Sequence, residues 1–355
     1  MAIAHLAGNR ATGTASDRTG LTTYSAKSWV ELGRVTLSAT GDTMDLTGLD
    51  TSDYPYIQVL HHATYTGDTN STFQCNNDTG NNYCQRNSYA GSSDSNNTSR
   101  ANFTYADSSV HDSLFAVSDI INIADQEKLI ISHQATIAST GANNAPNRAE
   151  QVGKWANTSS TITSMKHTQT GSGSYTSGSE FVVLGAKSSG TNTDKAGFWQ
   201  ELADVELSSA AASIDSGTFT SKKYLWIEFS GVGSNSSSYP RLRFNSDSGN
   251  NFAYKQNADG GSDNNQTSQN HMNTTGNVGA FNHYFNSFVV NKSDKEKLVI
   301  TQGVDTNTSG VSNVPRRREV IGKWANTSDN ITSVQVVDLN PYDFSSARLK
   351  VWGSD

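Results

Sequence analysis

The chain has 355 residues, of which 34% are apolar and 17% charged, and a net charge of −7. At roughly 100–200 residues per domain this length predicts two folded units, and the negative balance argues against a nucleic-acid or anionic-membrane partner reached through bulk electrostatics. Only 5 prolines, and 29 glycines without a three-residue period, exclude collagen and proline-rich disorder, while the missing Ala/Glu/Lys/Leu enrichment disfavours a helical bundle.

Taken from the N-terminus, residues 1–28 are polar and have no counterpart later in the chain, so they read as an arm. Their opening run, residues 1–10, lacks a basic segment followed by a continuous apolar one, and the expectation is synthesis and retention in a cytoplasm. No apolar run approaches the roughly 18–20 residues that cross a bilayer. Strand-like runs then follow at 35–37, 56–60, 117–123, 129–133, 162–165 and 181–184, separated by turn-rich segments. The turn at Asp78-Thr79-Gly80-Asn81 carries Gly and Asn for positive φ and predicts a hairpin whose strands lie side by side. Cys75 and Cys84 flank it. A cross-strand disulfide and two separate thiols are both open, and a reducing cytoplasm favours thiols. Residues 187–198 have the composition of a linker. Beyond it, Leu225, Ile227 and Phe229, then Leu242 and Phe244, alternate with polar or outward residues as half-buried strands do.

Self-similarity organises the whole. Gly153-Lys154-Trp155-Ala156-Asn157-Thr158-Ser159 recurs unchanged from Gly322 to Ser328, an offset of 169. The same offset aligns Glu127-Lys128-Leu129 with Glu296-Lys297-Leu298, and Pro146, Arg148 and Glu150 with Pro315, Arg317 and Glu319. The reading is an arm at 1–28, a first domain at 29–186, a linker at 187–198 and a duplicate domain at 199–355. Many short strands per copy call for two packed antiparallel sheets, so the expected fold class is all-β, with tandem jelly-roll-like β-sandwiches that match across 73–164 and 242–333.

Chemistry is sparse. The eight histidines show no His-x-x-x-His spacing and none recurs at its duplicate position, so neither a metal nor another cofactor is expected. Asn76, Asp78 and Asn81 lack the carboxylate density of a calcium loop and read as turn stabilisers. No nucleophile elbow is present. Glu150 and Glu319 stand two residues from Arg148 and Arg317, the spacing of an ion pair on one strand face, so no catalytic site is expected, although paired carboxylates keep a polysaccharide-degrading enzyme as an alternative. Trp155 and Trp324 suit either a buried anchor or a sugar-stacking surface. The cluster Arg316-Arg317-Arg318, which differs from Asn147-Arg148-Ala149, is a candidate ligand or partner contact.

The set formed by Leu242-Arg243-Phe244-Asn245-Ser246-Asp247-Ser248-Gly249-Asn250-Asn251-Phe252, the repeated Gly-Lys-Trp-Ala-Asn-Thr-Ser and Gly178-Ser179-Glu180-Phe181-Val182-Val183-Leu184-Gly185 resembles β-rich virion surface modules of tailed bacteriophages. The resemblance implies a capsid decoration (cement) or head-fibre protein, with a tail-fibre or receptor-binding protein as the alternative. It also implies a homotrimer, assembly into the virion in the host cytoplasm, and contact with the major capsid protein or another virion protein, with a host-surface glycan as a further ligand. The arm would then attach the chain to the particle through Arg10, Asp17 and Arg18. No nucleic acid and no membrane partner is expected.

Overall fold

The computed structural model describes residues 4–5, 11–12, 25–67, 69–105, 112–187, 195–234, 238–276, 282–306, 311, 314–340 and 342–355, with side chains from Trp29 onward except at Thr69. These residues form strands and turns, with no helix among them. A short pair, β1 (Ala4–His5) and β2 (Ala11–Thr12), precedes everything else. Then come β3 (Ser25–Thr36), β4 (Thr43–Thr47), β5 (Tyr56–Thr64), β6 (Thr69–Cys75), β7 (Tyr83–Tyr89), β8 (Ser95–Arg100), β9 (Phe103–Thr104), β10 (Ser113–Ile121), β11 (Lys128–Ile137), β12 (Asn147–Trp155), β13 (Ser164–Gly171) and β14 (Glu180–Ala186). The series repeats as β15 (Gly197–Glu206), β16 (Ser213–Asp215), β17 (Tyr224–Gly233), β18 (Pro240–Phe244), β19 (Phe252–Ala258), β20 (Asn264–Gln269), β21 (Met272–Asn273), β22 (Asn282–Val290), β23 (Lys297–Asp305), β24 (Arg316–Trp324), β25 (Val334–Asp338) and β26 (Phe344–Ser354).

Each series builds one large and one small antiparallel sheet. The first gives the orders β3-β14-β5-β10-β11-β12-β7-β8 and β4-β13-β6-β9; the second gives β15-β26-β17-β22-β23-β24-β19-β20 and β16-β25-β18-β21. Strand for strand the two orders are the same, and so is the register at matched sites: Trp155 faces Tyr83 as Trp324 faces Phe252, and Met165 faces Cys75 as Val334 faces Phe244. The protein is therefore an all-β, duplicated, jelly-roll-like sandwich.

The core of each sandwich lies between its large and small sheets. In the first, Ile57, Val59, Ile130, Phe181 and Val183 from the large sheet meet Met44, Phe73, Phe103 and Met165 from the small one. In the second, Leu225, Ile227, Val299, Leu349 and Val351 meet Ile214, Leu242, Met272 and Val336. Removing one such side chain from water stabilises by roughly 1.5–3 kcal/mol.

The repeated Gly-Lys-Trp-Ala-Asn-Thr-Ser segment is explained residue by residue. A Cβ on Gly153 would stand 2.5 Å from the Phe103 ring, and one on Gly322 would stand 2.4 Å from Met272 Sδ, so a side chain at either position would have to displace the small-sheet residue packed on it. Trp155 and Trp324 are buried, and their Nε1 groups donate to Asp78 and Asp247 at 2.7 Å, which makes them anchors. The Asn157 and Asn326 carbonyls accept from the buried Lys128 and Lys297 ammonium groups at 2.9 and 2.7 Å, and each Asn Oδ1 closes an Asx turn onto Ser159 or Ser328.

The expectations for the 78–81 turn and for the bounds of the arm and the linker need correction. The turn at 78–81 joins no hairpin, because β6 belongs to the small sheet and β7 to the large one. Asn76 and Asn77 at φ 53° and 50° turn the chain out of β6, the Asn76 Oδ1 accepts from the Thr163 and Ser164 amides, and the Asp78 carboxylate is bonded within the turn and to Trp155. Gly and Asn serve this crossing as well as they serve a hairpin. Of the two readings left open for Cys75 and Cys84, the structure has the separate thiols: both are free, Cys75 buried between the sheets and Cys84 half-buried on the large sheet. The arm is shorter than 1–28, since Ser25 and Ala26 already pair with Gln200 and Trp199, and the strand opening at Gly197 begins inside 187–198.

By its contacts the chain divides into two compact units, Met1–Gln134 with Ala149–Gln200, and Ala135–Arg148 with Glu201–Asp355. Residues 135–148, the turn between β11 and β12, thus belong to the second unit.

Candidate functional site

A half-solvated antiparallel strand alternates apolar and polar residues, whereas a strand apolar on both faces needs a cover on each. In the first unit β11 carries Leu129-Ile130-Ile131. Ile130 points into the core, while Leu129 and Ile131 point away from it and remain 56% and 51% exposed. Val152 on β12 and Tyr56 on β5, likewise outside the core, are 49% and 47% exposed. Together these side chains floor a groove of about 900 Å³ that extends to Trp29 and the Cys84 edge. Its lining is mainly hydrocarbon, with Asn96, Asn97 and Gln85 supplying amides on the β7–β8 side.

Charged pairs edge it. Lys154 Nζ donates to Glu127 at 2.6 Å, a bond that holds the lysine above its ordinary pKa, and Arg86 lies 3.6 Å from Asp94. All four side chains are exposed. Such a surface can hold an extended peptide segment by apolar contact while its rim fixes register. Among the described residues no group of three or more His, Cys, Asp or Glu side chains is placed to hold a metal ion.

The same face of the second unit is built from the same positions and has a different fate. Leu298, Ile300 and Ile321, at the offset of 169 from Leu129, Ile131 and Val152, also point away from the core, yet they are 0%, 4% and 3% exposed. Residues 135–148 are held over this face. Gly141 N–H donates to Glu296 at 2.5 Å, Lys323 Nζ donates to the Ser139 carbonyl at 2.9 Å, and Ser268 N–H donates to the Ala142 carbonyl at 2.7 Å. Arg148 pairs with Asp263 at 2.8 Å and with Glu319 at 2.9 Å, and Lys255 donates to the Asn147 side chain at 3.1 Å.

Of the residues singled out in the sequence, Arg10, Asp17 and Arg18 lie outside the described residues. Arg316, Arg317 and Arg318 begin β24; Arg317 is exposed and pairs with Glu319 at 3.0 Å, while its two neighbours are half-buried. Sequence reasoning missed Leu129, Ile131 and Val152, although the unbroken Leu-Ile-Ile run on β11 is the signal that could have found them.

No family model matches the chain, and no curated protein matches it. Among solved structures it is similar to the LG1-3 region of the laminin alpha2 chain, at 11% identity and a TM-score of 0.21, covering 89% of this chain. This chain spans about 64% of the length of that region. It is also similar to domains LG4-5 of the mouse laminin alpha1 chain, at 10% identity and a TM-score of 0.18 over 91% of this chain and 89% of that one. A third likeness is to Ail, the attachment invasion locus protein of Yersinia pestis, at 7% identity and a TM-score of 0.14 over 74% and 97% of the two chains. Likenesses at this level speak to neither ligand nor partner.

Proposed function

We infer that this chain is a structural protein of a tailed-phage particle surface, of the capsid decoration or head-fibre kind, and that it works by docking onto other protein. The phage setting rests on the resemblance of its repeated motifs to virion surface modules. The observation that carries the docking role is the exposed apolar groove of the first unit, edged by ion pairs and amides. Apolar side chains gathered on one exposed face mark an interaction site, and the ion pairs and amides at its edge suit another protein as the partner. The N-terminal arm supplies attachment to the capsid or another virion protein, and three arms from a homotrimer would multiply a weak contact.

The test is the number of copies per particle, counted by mass spectrometry. Removing residues 1–24 leaves β3 whole and should abolish incorporation; truncated chain at full copy number would overturn the attachment role. A second reading, binding of a host-surface glycan, is favoured by one observation. On the second unit Trp226 and Phe288 are half-buried and stack with ring centroids 6.0 Å apart, the kind of platform on which sugar rings lie.

A further inference from the structure

We propose that the apolar groove of the first unit receives the segment of chain that joins β23 to β24, residues 304–317, of a second copy of this chain. This rests on the reading of the groove as a protein-docking surface and names its occupant. The second unit shows what such a groove holds: its own copy is covered by residues 135–148, and residues 304–317 are their duplicate at the offset of 169. Gly141-Ala142-Asn143-Asn144-Ala145-Pro146-Asn147-Arg148 corresponds to Gly310-Val311-Ser312-Asn313-Val314-Pro315-Arg316-Arg317.

Both halves of the contact are duplicated. On the receiving side, the Glu296–Lys323 pair that grips the turn is matched by Glu127–Lys154. Asp263 and Glu319, the carboxylates that hold Arg148, are matched by Asp94 and Glu150. Ser268, whose amide reaches the turn, is matched by Ser99, and the two share a left-handed backbone at φ 51° and 53°. On the inserting side, Val311 and Val314 replace Ala142 and Ala145 and stand exposed at 109% and 82%. Arg317 replaces Arg148 and is exposed. The inserted side chains are larger where the groove floor has Val152 in place of Ile321, so volume moves from floor to guest.

One corner differs. Arg86 stands where Lys255 holds Asn147, and Arg316 stands where Asn147 is, so like charges meet there and limit affinity. The contact joins different surfaces of two chains. It is heterologous, and repetition of it closes a ring or extends a filament according to the rotation between copies.

Sedimentation velocity on the purified full chain tests this with two complementary variants. Val311→Asp/Val314→Asp charges the inserting segment and leaves the groove intact; Ile131→Asp/Val152→Asp charges the groove and leaves the inserting segment intact. All four positions are exposed, and circular dichroism melts verify that each variant is folded. Wild type should sediment as assemblies that dissociate on dilution, and each variant alone as a monomer. An equimolar mixture of the two should give a species of twice the monomer mass and nothing larger, because only one productive contact remains. A monomeric wild type, a folded variant that assembles like wild type, or a mixture that stays monomeric would each overturn the proposal. If the folded groove variant is lost from particles while purified wild type is monomeric, self-docking falls and the groove's role toward another virion protein stands.

Discussion

The two sandwiches share one strand order and differ on two surfaces that the order does not determine. On the outer face of the large sheet, the second unit has covered its apolar row and sunk its ion pairs, whereas the first displays both to solvent. In the core, the first unit places His61 against His167, with ring centroids 4.3 Å apart, among Phe73, Tyr105 and Phe181. The second has Phe229 and Val336 at the matched strand positions. Duplication has kept what sets topology and let change what sets contact and charge.

The largest effect expected from that difference is on acid stability. His61 and His167 are fully buried, and burial holds His61 down to about 3 and His167 well below its ordinary value, with the neighbouring histidine adding to the latter. The folded state therefore withholds protons that the unfolded chain takes up below about pH 6.5. Stability is complete above that pH and falls as pH drops toward 3, at about 1.4 kcal/mol per pH unit for each histidine. The second unit has His271 held down to about 4 at a half-buried site, by burial first and then by Arg241 and Arg243. Urea melts across pH 4–7 should show the first unit losing stability more steeply, and His61→Phe with His167→Val should flatten its slope. An unchanged slope in that double variant would dissolve the comparison in the core.

Next in size is the covered face. Arg148→Ala takes the buried guanidinium away from the nearly buried Asp263 and leaves Glu319 to Arg317, and should cost the second unit about 3 kcal/mol in a denaturant titration. The smallest effect belongs to its duplicate. Arg317→Ala removes an exposed guanidinium from a carboxylate that keeps the buried Arg148, and should change the stability of the purified chain by less than about 1 kcal/mol. Equal costs at the two sites would mean that cover makes no energetic difference.

Much of the fold was legible because duplication reports on itself. Gly153, Trp155 and Asn157 recur since a large small-sheet side chain, Phe103 or Met272, packs against the glycine, an aspartate caps the indole and a lysine is sealed by the asparagine carbonyl; the aspartate and the lysine recur with them. The crossing at 76–82 was not legible as such, because Asn-rich turn chemistry supplies positive φ to a sheet-to-sheet connection as readily as to a hairpin. The groove was harder. Alternation along β11 and β23 tells which residues share a face and not whether that face meets water, and Leu129 and Leu298 are the same residue in the same register with opposite exposure. What separates them is a turn more than a hundred residues away in sequence, a long-range contact that carries no local periodicity.

The matched lysines on the two rims turn this contrast into a chemical footprint. Lys323 Nζ is sealed between Glu296 and the Ser139 carbonyl with its side chain 0% exposed, while Lys154, in the same place on the first unit, is 37% exposed. An amine-acylating reagent should mark Lys154 and spare Lys323 on a dispersed chain, and whatever settles into the first groove should silence Lys154 as well. A single acylated peptide thus counts filled grooves inside any assembly that the chain enters, where no hydrodynamic measurement can reach.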